Sequence, residues 1–250
     1  MRVRQQNGTQ FLPGLATAFC FLACALAALA QQPPVTIQVE LVRANSNKPA
    51  GPAADNSNVV VWLTPLDTSA VMRQTRSGPP PRLVQKSKSF EPHVLVLQVG
   101  TEVIFPNEDP FFHNVFSLFD GKRFDLGLYE AGSSKSVRFD RPGVSFLFCN
   151  IHPEMSAAVV AVETPYFGVS DHAGRVSIGG VPDGRYQLQV WSERSLTEDL
   201  KKLAREVAIS DAARTLETLQ IAENPNFTLA HKNKYGQDYV PPASGGYIRH

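Results

Sequence analysis

The chain has 250 residues, 43% of them hydrophobic and 19% charged, a composition of folded protein rather than disordered chain, and enough for one large domain or two small ones. Its 24 basic and 23 acidic residues nearly cancel, for a formal charge of +1. No basic patch interleaved with aromatics occurs, which argues against a nucleic-acid partner.

Residues 1–30 stand apart. Arg2 and Arg4 are followed by an uncharged apolar stretch over residues 11–30, which ends in Ala28-Leu29-Ala30 ahead of Gln31. This is the three-part layout of a secretory signal peptide. The stretch is nearly long enough to span a bilayer, so an uncleaved anchor is the alternative. Pro13 and the Ala-Leu-Ala exit favour cleavage. A lipid anchor on Cys24 is a weaker third reading, because Phe21 stands where a lipoprotein signal carries Leu. Cleavage predicts a periplasmic or secreted protein with no membrane span, and loss of two arginines takes the formal charge to −1. It also removes Cys20 and Cys24. Cys149 is then the single thiol of an exported chain, with no partner for an intrachain disulfide.

After the leader, short apolar runs broken by Gly, Pro, Asn and Asp predict an all-β protein. Residues 35–43 and 58–63 read as strands joined by a Gly/Pro/Asn/Ser-rich loop, and residues 72–81 as a Pro-rich linker. Residues 82–90 read as an edge strand, and 93–99 and 101–105 as two runs bent at Gly100. Asn107-Glu108-Asp109-Pro110 is turn chemistry. Strands follow over 123–128, 136–139, 144–149 and 157–162. The pattern restarts over 166–169, 175–178 and 185–191, with a short helix at most over 196–205 and closing strands over 206–209 and 215–221. From residue 223 to 250 the chain reads as a polar tail lying on the surface. No fixed-period repeat is present.

The informative segment is Phe148-Cys149-Asn150-Ile151-His152-Pro153-Glu154-Met155. A Cys closing a strand is followed three residues on by His, and three further by Met. Thiolate, imidazole and thioether form a soft donor set suited to copper, and one more His completes a two-His, one-Cys trigonal site with a weak axial Met. His113, in Pro110-Phe111-Phe112-His113-Asn114, is the candidate. Asn114 could brace the Cys149 sulfur from across the site. Phe111, Phe112, Ile151 and Pro153 would surround the ligand imidazoles with apolar surface. Each element has a blander reading, since a lone Cys or Met in a β protein is usually core; their conjunction favours copper. His93, His172, His231 and His250 have no comparable company and read as surface or structural. Glu154 reads as facing solvent.

Residues 82–163 resemble a cupredoxin, a plastocyanin- or amicyanin-like blue copper protein. The resemblance rests on the compact Cys149-x2-His152-x2-Met155 loop, on the run from Val94 to Asn107, and on the His113-Asn114 pair. It implies a Greek-key β-sandwich, with His113, Cys149, His152 and Met155 holding one type 1 copper. It further implies one-electron transfer with a redox partner such as a c-type cytochrome or a dehydrogenase; similar proteins serve methylamine-type oxidation systems. Residues 166–191, with an Asp/Gly turn, a Pro-x-Gly turn and Tyr186-x-Leu188-x-Val190, resemble the later strands of a carboxypeptidase regulatory-like (transthyretin-like) sandwich. Residues 35–66 would supply its earlier strands and 164–222 the rest. The copper module would then be inserted in that second sandwich, or stand next to it in tandem. No nucleophile elbow, phosphate loop or carboxylate pair occurs, so the expectation is an electron carrier rather than an enzyme. Copper storage or delivery through the same ligands, or a non-redox binding module, are the alternatives.

Overall fold

The computed structural model describes residues 32–43, 55–67, 78–118, 121–228 and 231–239. The leader over residues 1–30, most of the first loop, most of the Pro-rich linker and the end of the tail with His250 lie outside them. Among the described residues the protein is almost entirely β. In chain order the elements are β1 (Val35–Arg43), β2 (Val60–Pro65), β3 (Val84–Lys86), β4 (Ser89–Glu91), β5 (Val94–Gln98), β6 (Thr101–Pro106), β7 (His113–Ser117), β8 (Phe124–Tyr129) and β9 (Ser134–Phe139). There follow β10 (Gly143–Phe148), β11 (Ser156–Val162), β12 (Phe167–Val169), β13 (Arg175–Ile178), β14 (Gly184–Trp191), α1 (Thr197–Leu203), β15 (Arg205–Ile209) and β16 (Leu219–Glu223).

Two sheets are built from the ends of this order. One runs β13-β1-β16 and the other β12-β2-β14-β15. β1 pairs antiparallel with β13 and parallel with β16, while β2 lies antiparallel between β12 and β14. Alternation explains the packing, because successive side chains of a strand point to opposite faces. Val35, Ile37, Val39 and Leu41 of β1 meet Val61 and Leu63 of β2 and Tyr186, Leu188 and Val190 of β14 in one buried core. α1 covers an end of it with Leu200.

The intervening chain forms a second sandwich. Its main sheet runs β5-β11-β10-β7-β8, against the β6-β9 pair and the β3-β4 hairpin. Leu97, Val103, Phe105, Val115, Phe139, Leu147 and Val159 fill the space between. β11 is buried on both faces: Ala157, Val159 and Ala161 point into this core, while Ala158, Val160 and Val162 join Val60, Val94, Val96 and Phe167 in a third cluster. That cluster seals the five-stranded sheet against the sheet containing β2. The chain therefore leaves the flanking sandwich after β2 and re-enters it at β12.

Several elements differ from the sequence reading. Residues 82–90 form no single edge strand: β3 and β4 make a tight hairpin whose central Ser87 and Lys88 both have positive φ, 53° and 57°, the backbone a two-residue hairpin requires. The runs on either side of Gly100 belong to different sheets, and Gly100 turns the corner at φ 93°. β7 has no counterpart in the sequence reading. All five of its residues are buried, so it lacks the alternation that marks a half-exposed strand. β16 begins at Leu219 rather than at residue 215; Thr215 makes only an isolated bridge to Thr36.

Candidate metal centre

β7 and β10 are neighbours in the five-stranded sheet, with Phe116 opposite Phe148. His113 opens the first strand and Cys149 follows the last residue of the second, so their side chains arrive at the same end of the sandwich. The chain then turns through residues 149–155 before β11. Two backbone bonds close this loop: Cys149 N–H donates to Met155 O at 3.2 Å, and Met155 N–H to His152 O at 3.1 Å.

Three donor atoms converge there. Cys149 Sγ lies 3.8 Å from His113 Nδ1 and 3.5 Å from His152 Nδ1, and the two Nδ1 atoms are 3.1 Å apart. Three N/N/S donors set around one ion at ordinary metal–ligand lengths, near 120° to one another, would be about 3.5–3.8 Å apart. The cluster fits an ion with little rearrangement. His113 and Cys149 are fully buried and His152 half-buried. Met155 is fully buried in the same core as Cys149 and Tyr129.

The protonation states favour ligation. His113 Nε2 donates to Asp109 Oδ2 at 2.7 Å. The ring proton therefore sits on Nε2, leaving the Nδ1 lone pair directed at the cluster. Burial above all, and then the charge of nearby Lys88, lower the His152 pKa, which keeps that imidazole neutral and able to coordinate. Burial raises the Cys149 pKa despite backbone N–H groups of Ile151, Asn114 and His152 aimed at the sulfur. A cation must displace that proton, and the waiting N–H groups then stabilise the thiolate.

Asn114 approaches the Cys149 sulfur through its backbone. Its backbone N–H points at Cys149 sulfur, whereas its side-chain amide turns away and donates to Asp125 Oδ1 at 2.8 Å. Position in β7, rather than side-chain chemistry, delivers the contact.

Asp109 is the residue the sequence reading missed, having been assigned to turn chemistry alone. Besides His113 it accepts Ser87 N–H at 2.7 Å and Lys88 N–H at 2.9 Å. Burial by itself would raise its pKa, but these bonds outweigh it and hold the carboxyl below its ordinary value. One carboxylate thus ties the β3-β4 hairpin to the His113 ring. The signal was available: a ligand histidine needs a partner for its second nitrogen, and Asp109 stands four residues before His113.

Phe111 packs on both imidazoles, its ring centroid 5.2 Å from that of His113 and 5.6 Å from that of His152. Phe112 and Ile151 are 55% and 42% exposed, and Pro153 and Glu154 are also exposed. The remaining described histidines stand outside the cluster. His93 bonds Glu193 at 2.6 Å and Ser156 O at 3.1 Å, His172 pairs with Asp55 on the surface, and His231 stacks on Phe148. In the tail, expected to lie on the surface, residues 231–239 are exposed or partly buried and contact residues 148–150. No helix among the described residues is long and apolar enough to cross a membrane.

No family model matches the chain, and no curated protein matches it. Among solved structures it is similar to a copper-containing nitrite reductase from Thermus scotoductus SA-01, at 28% identity and TM-score 0.33, over 34% of this chain and 22% of that one. The chain thus spans about a fifth of that enzyme's length. It is also similar to a purple cupredoxin from Nitrosopumilus maritimus, at 23% identity and TM-score 0.30, over 33% of this chain and 99% of that one. An amicyanin variant in its Cu(I) form matches at 18% identity and TM-score 0.32, over 41% of this chain and 98% of that one. Likeness at this level carries no weight for the site, which stands on its donor atoms.

Proposed function

We propose that the chain is an exported copper protein that carries single electrons, with one type 1 copper held by His113, Cys149 and His152 and by Met155 as a weak axial ligand. The observation that carries this reading is the convergence of two imidazole Nδ1 atoms and one thiol sulfur in an already assembled cluster, buried except at His152. A two-His, one-Cys set with a thioether close by in the loop favours copper over harder ions. Copper bound there supplies a one-electron couple. The residues do the rest. Asp109 fixes the ring of His113, the N–H groups around Cys149 hold the thiolate, and the loop closed by Cys149 and Met155 keeps the donors in place whichever oxidation state they serve.

Half-buried His152, packed against Phe111 and next in the chain to exposed Ile151, would be the edge through which electrons pass to a redox partner such as a c-type cytochrome or a dehydrogenase. A periplasmic or secreted location rests on the leader over residues 1–30. The flanking sandwich, read as transthyretin-like from its sequence, would serve as a scaffold.

The test is a visible and EPR spectrum of the mature protein loaded with Cu(II). An intense thiolate-to-copper band that bleaches on reduction and returns on oxidation is expected, and Cys149→Ser abolishes it. A colourless Cu(II) form overturns the type 1 assignment. Loss of copper to a mild chelator within minutes would favour delivery over electron transfer.

A further inference from the structure

Residues 231–239 lie against the ligand loop, and their contacts fall on three consecutive residues at the end of β10. His231 stacks on Phe148, with ring centroids 4.2 Å apart and planes 29° apart. Tyr239 Oη donates to the Cys149 carbonyl at 2.6 Å. Lys234 N–H donates to Asn150 Oδ1 at 3.0 Å. A fourth contact reaches β8: Lys234 Nζ pairs with Asp125 Oδ2 at 2.8 Å, and the other oxygen of that carboxylate accepts the Asn114 side-chain amide. The segment is shaped to do this. Asn233 Oδ1 accepts the N–H groups of Tyr235 and Gln237 at 2.9 and 3.0 Å, and Asn233 N–H donates to Gln237 O at 2.9 Å. The Tyr239 ring meets His231 edge-on at 5.3 Å.

We propose that residues 231–239 are a strap that sets the position of the Cys149–Asn150 peptide, and that Tyr239 is its positioning residue for the metal centre. The inference rests on the copper reading above and deepens it. The Cys149 sulfur hangs from the backbone that Tyr239 holds by its carbonyl, so a tilt of that peptide moves the sulfur relative to His113 and His152. The metal centre is then incomplete within residues 82–163. Its last support comes from 90 residues further along the chain, beyond the flanking sandwich.

The experiment compares the full chain with Tyr239→Phe, and with Tyr235→Phe as a control in the same segment, since Tyr235 is 72% exposed. In the metal-free proteins, amide hydrogen exchange over residues 149–155 is expected to quicken about three- to tenfold in Tyr239→Phe, the range that loss of the bond to the Cys149 carbonyl supports, with the longer 3.3 Å contact to His231 Nδ1 lost alongside it. It stays at the wild-type rate in Tyr235→Phe. In the copper-loaded proteins, Tyr239→Phe shifts the thiolate-to-copper band and loses copper to a chelator several-fold faster. Wild-type exchange in Tyr239→Phe overturns the strap. Faster exchange with an unchanged band and unchanged copper loss overturns the positioning role and leaves a structural clasp. If the wild-type protein takes up no copper while Tyr239→Phe still quickens exchange, the copper reading fails and the strap's hold on the loop stands.

Discussion

Asp109 offers a direct test of how the site is held. Asp109 is only 7% exposed, and its carboxylate accepts three hydrogen bonds, from Ser87 N–H, Lys88 N–H and His113 Nε2. Bonds to a charged acceptor are worth about 1.5–3 kcal/mol each and are not additive. Asp109→Ala, which leaves all three donors without an acceptor, is therefore expected to destabilise the protein by about 3–5 kcal/mol, a large part of the roughly 5–15 kcal/mol that holds a domain together. Asp109→Asn keeps the shape and one acceptor oxygen, and should cost about 1–2 kcal/mol. Urea unfolding of the metal-free protein, followed by tryptophan fluorescence, reads the difference. Nitrogen–proton correlation spectra should show the His113 proton fixed on Nε2 in the wild type and released in both variants. Copper affinity should fall about 10–100-fold in each. An Asp109→Ala midpoint equal to the wild type, or a His113 tautomer indifferent to residue 109, would refute the carboxylate's role.

Three further outcomes are expected. The Glu193 hydrogen bond raises the His93 pKa above 6.5 against the opposing effect of burial, so this pair adds stability that is complete below the unfolded value and is lost as pH rises through the folded one. Denaturation midpoints of metal-free wild type should accordingly decline from about pH 6 to pH 8, and Glu193→Gln should flatten that decline while costing about 1–3 kcal/mol at the acid end; an unchanged slope counts against the pair. Gly174 sits at φ +81°, and a Cβ there would overlap the Val39 carbonyl oxygen, so Gly174→Ala should cost at least about 2 kcal/mol in thermal or urea unfolding. Met155→Leu should retain the visible colour of the Cu(II) form and raise the reduction potential measured by voltammetry; a lower potential would argue against an axial thioether.

Sequence legibility followed from how each feature is stabilised. β1 and β14 alternate because one face of each meets the flanking core, and period-two patterns report that arrangement directly. β7 gave no such sign, since His113, Asn114, Val115, Phe116 and Ser117 are buried whichever way they point. Cys149, His152 and Met155 stand out because they share one short loop and belong to an unusual set of residue types. Asp109 was masked by its neighbours: next to Pro110 and after Asn107, an aspartate is sufficiently explained as a turn former. The segment over residues 231–239 was harder still. It is attached by single hydrogen bonds and one ring stack rather than by an apolar stripe, and polar contacts of that kind leave no periodic trace.

The double burial of β11 has a practical consequence for anyone dissecting this chain. A fragment cut at residues 82 and 163 would keep every converging donor atom, yet it would turn Val94, Val96, Val160 and Val162 outward into water, side chains that now meet Val60 and Phe167 across the seam. A flat apolar sheet face of that kind invites self-association. Soluble expression of the fragment would call for polar replacements on alternate residues of β5 and β11, leaving Leu97, Ala157 and Val159 untouched. It would also forfeit the contacts that residues 231–239 make from the far end of the chain.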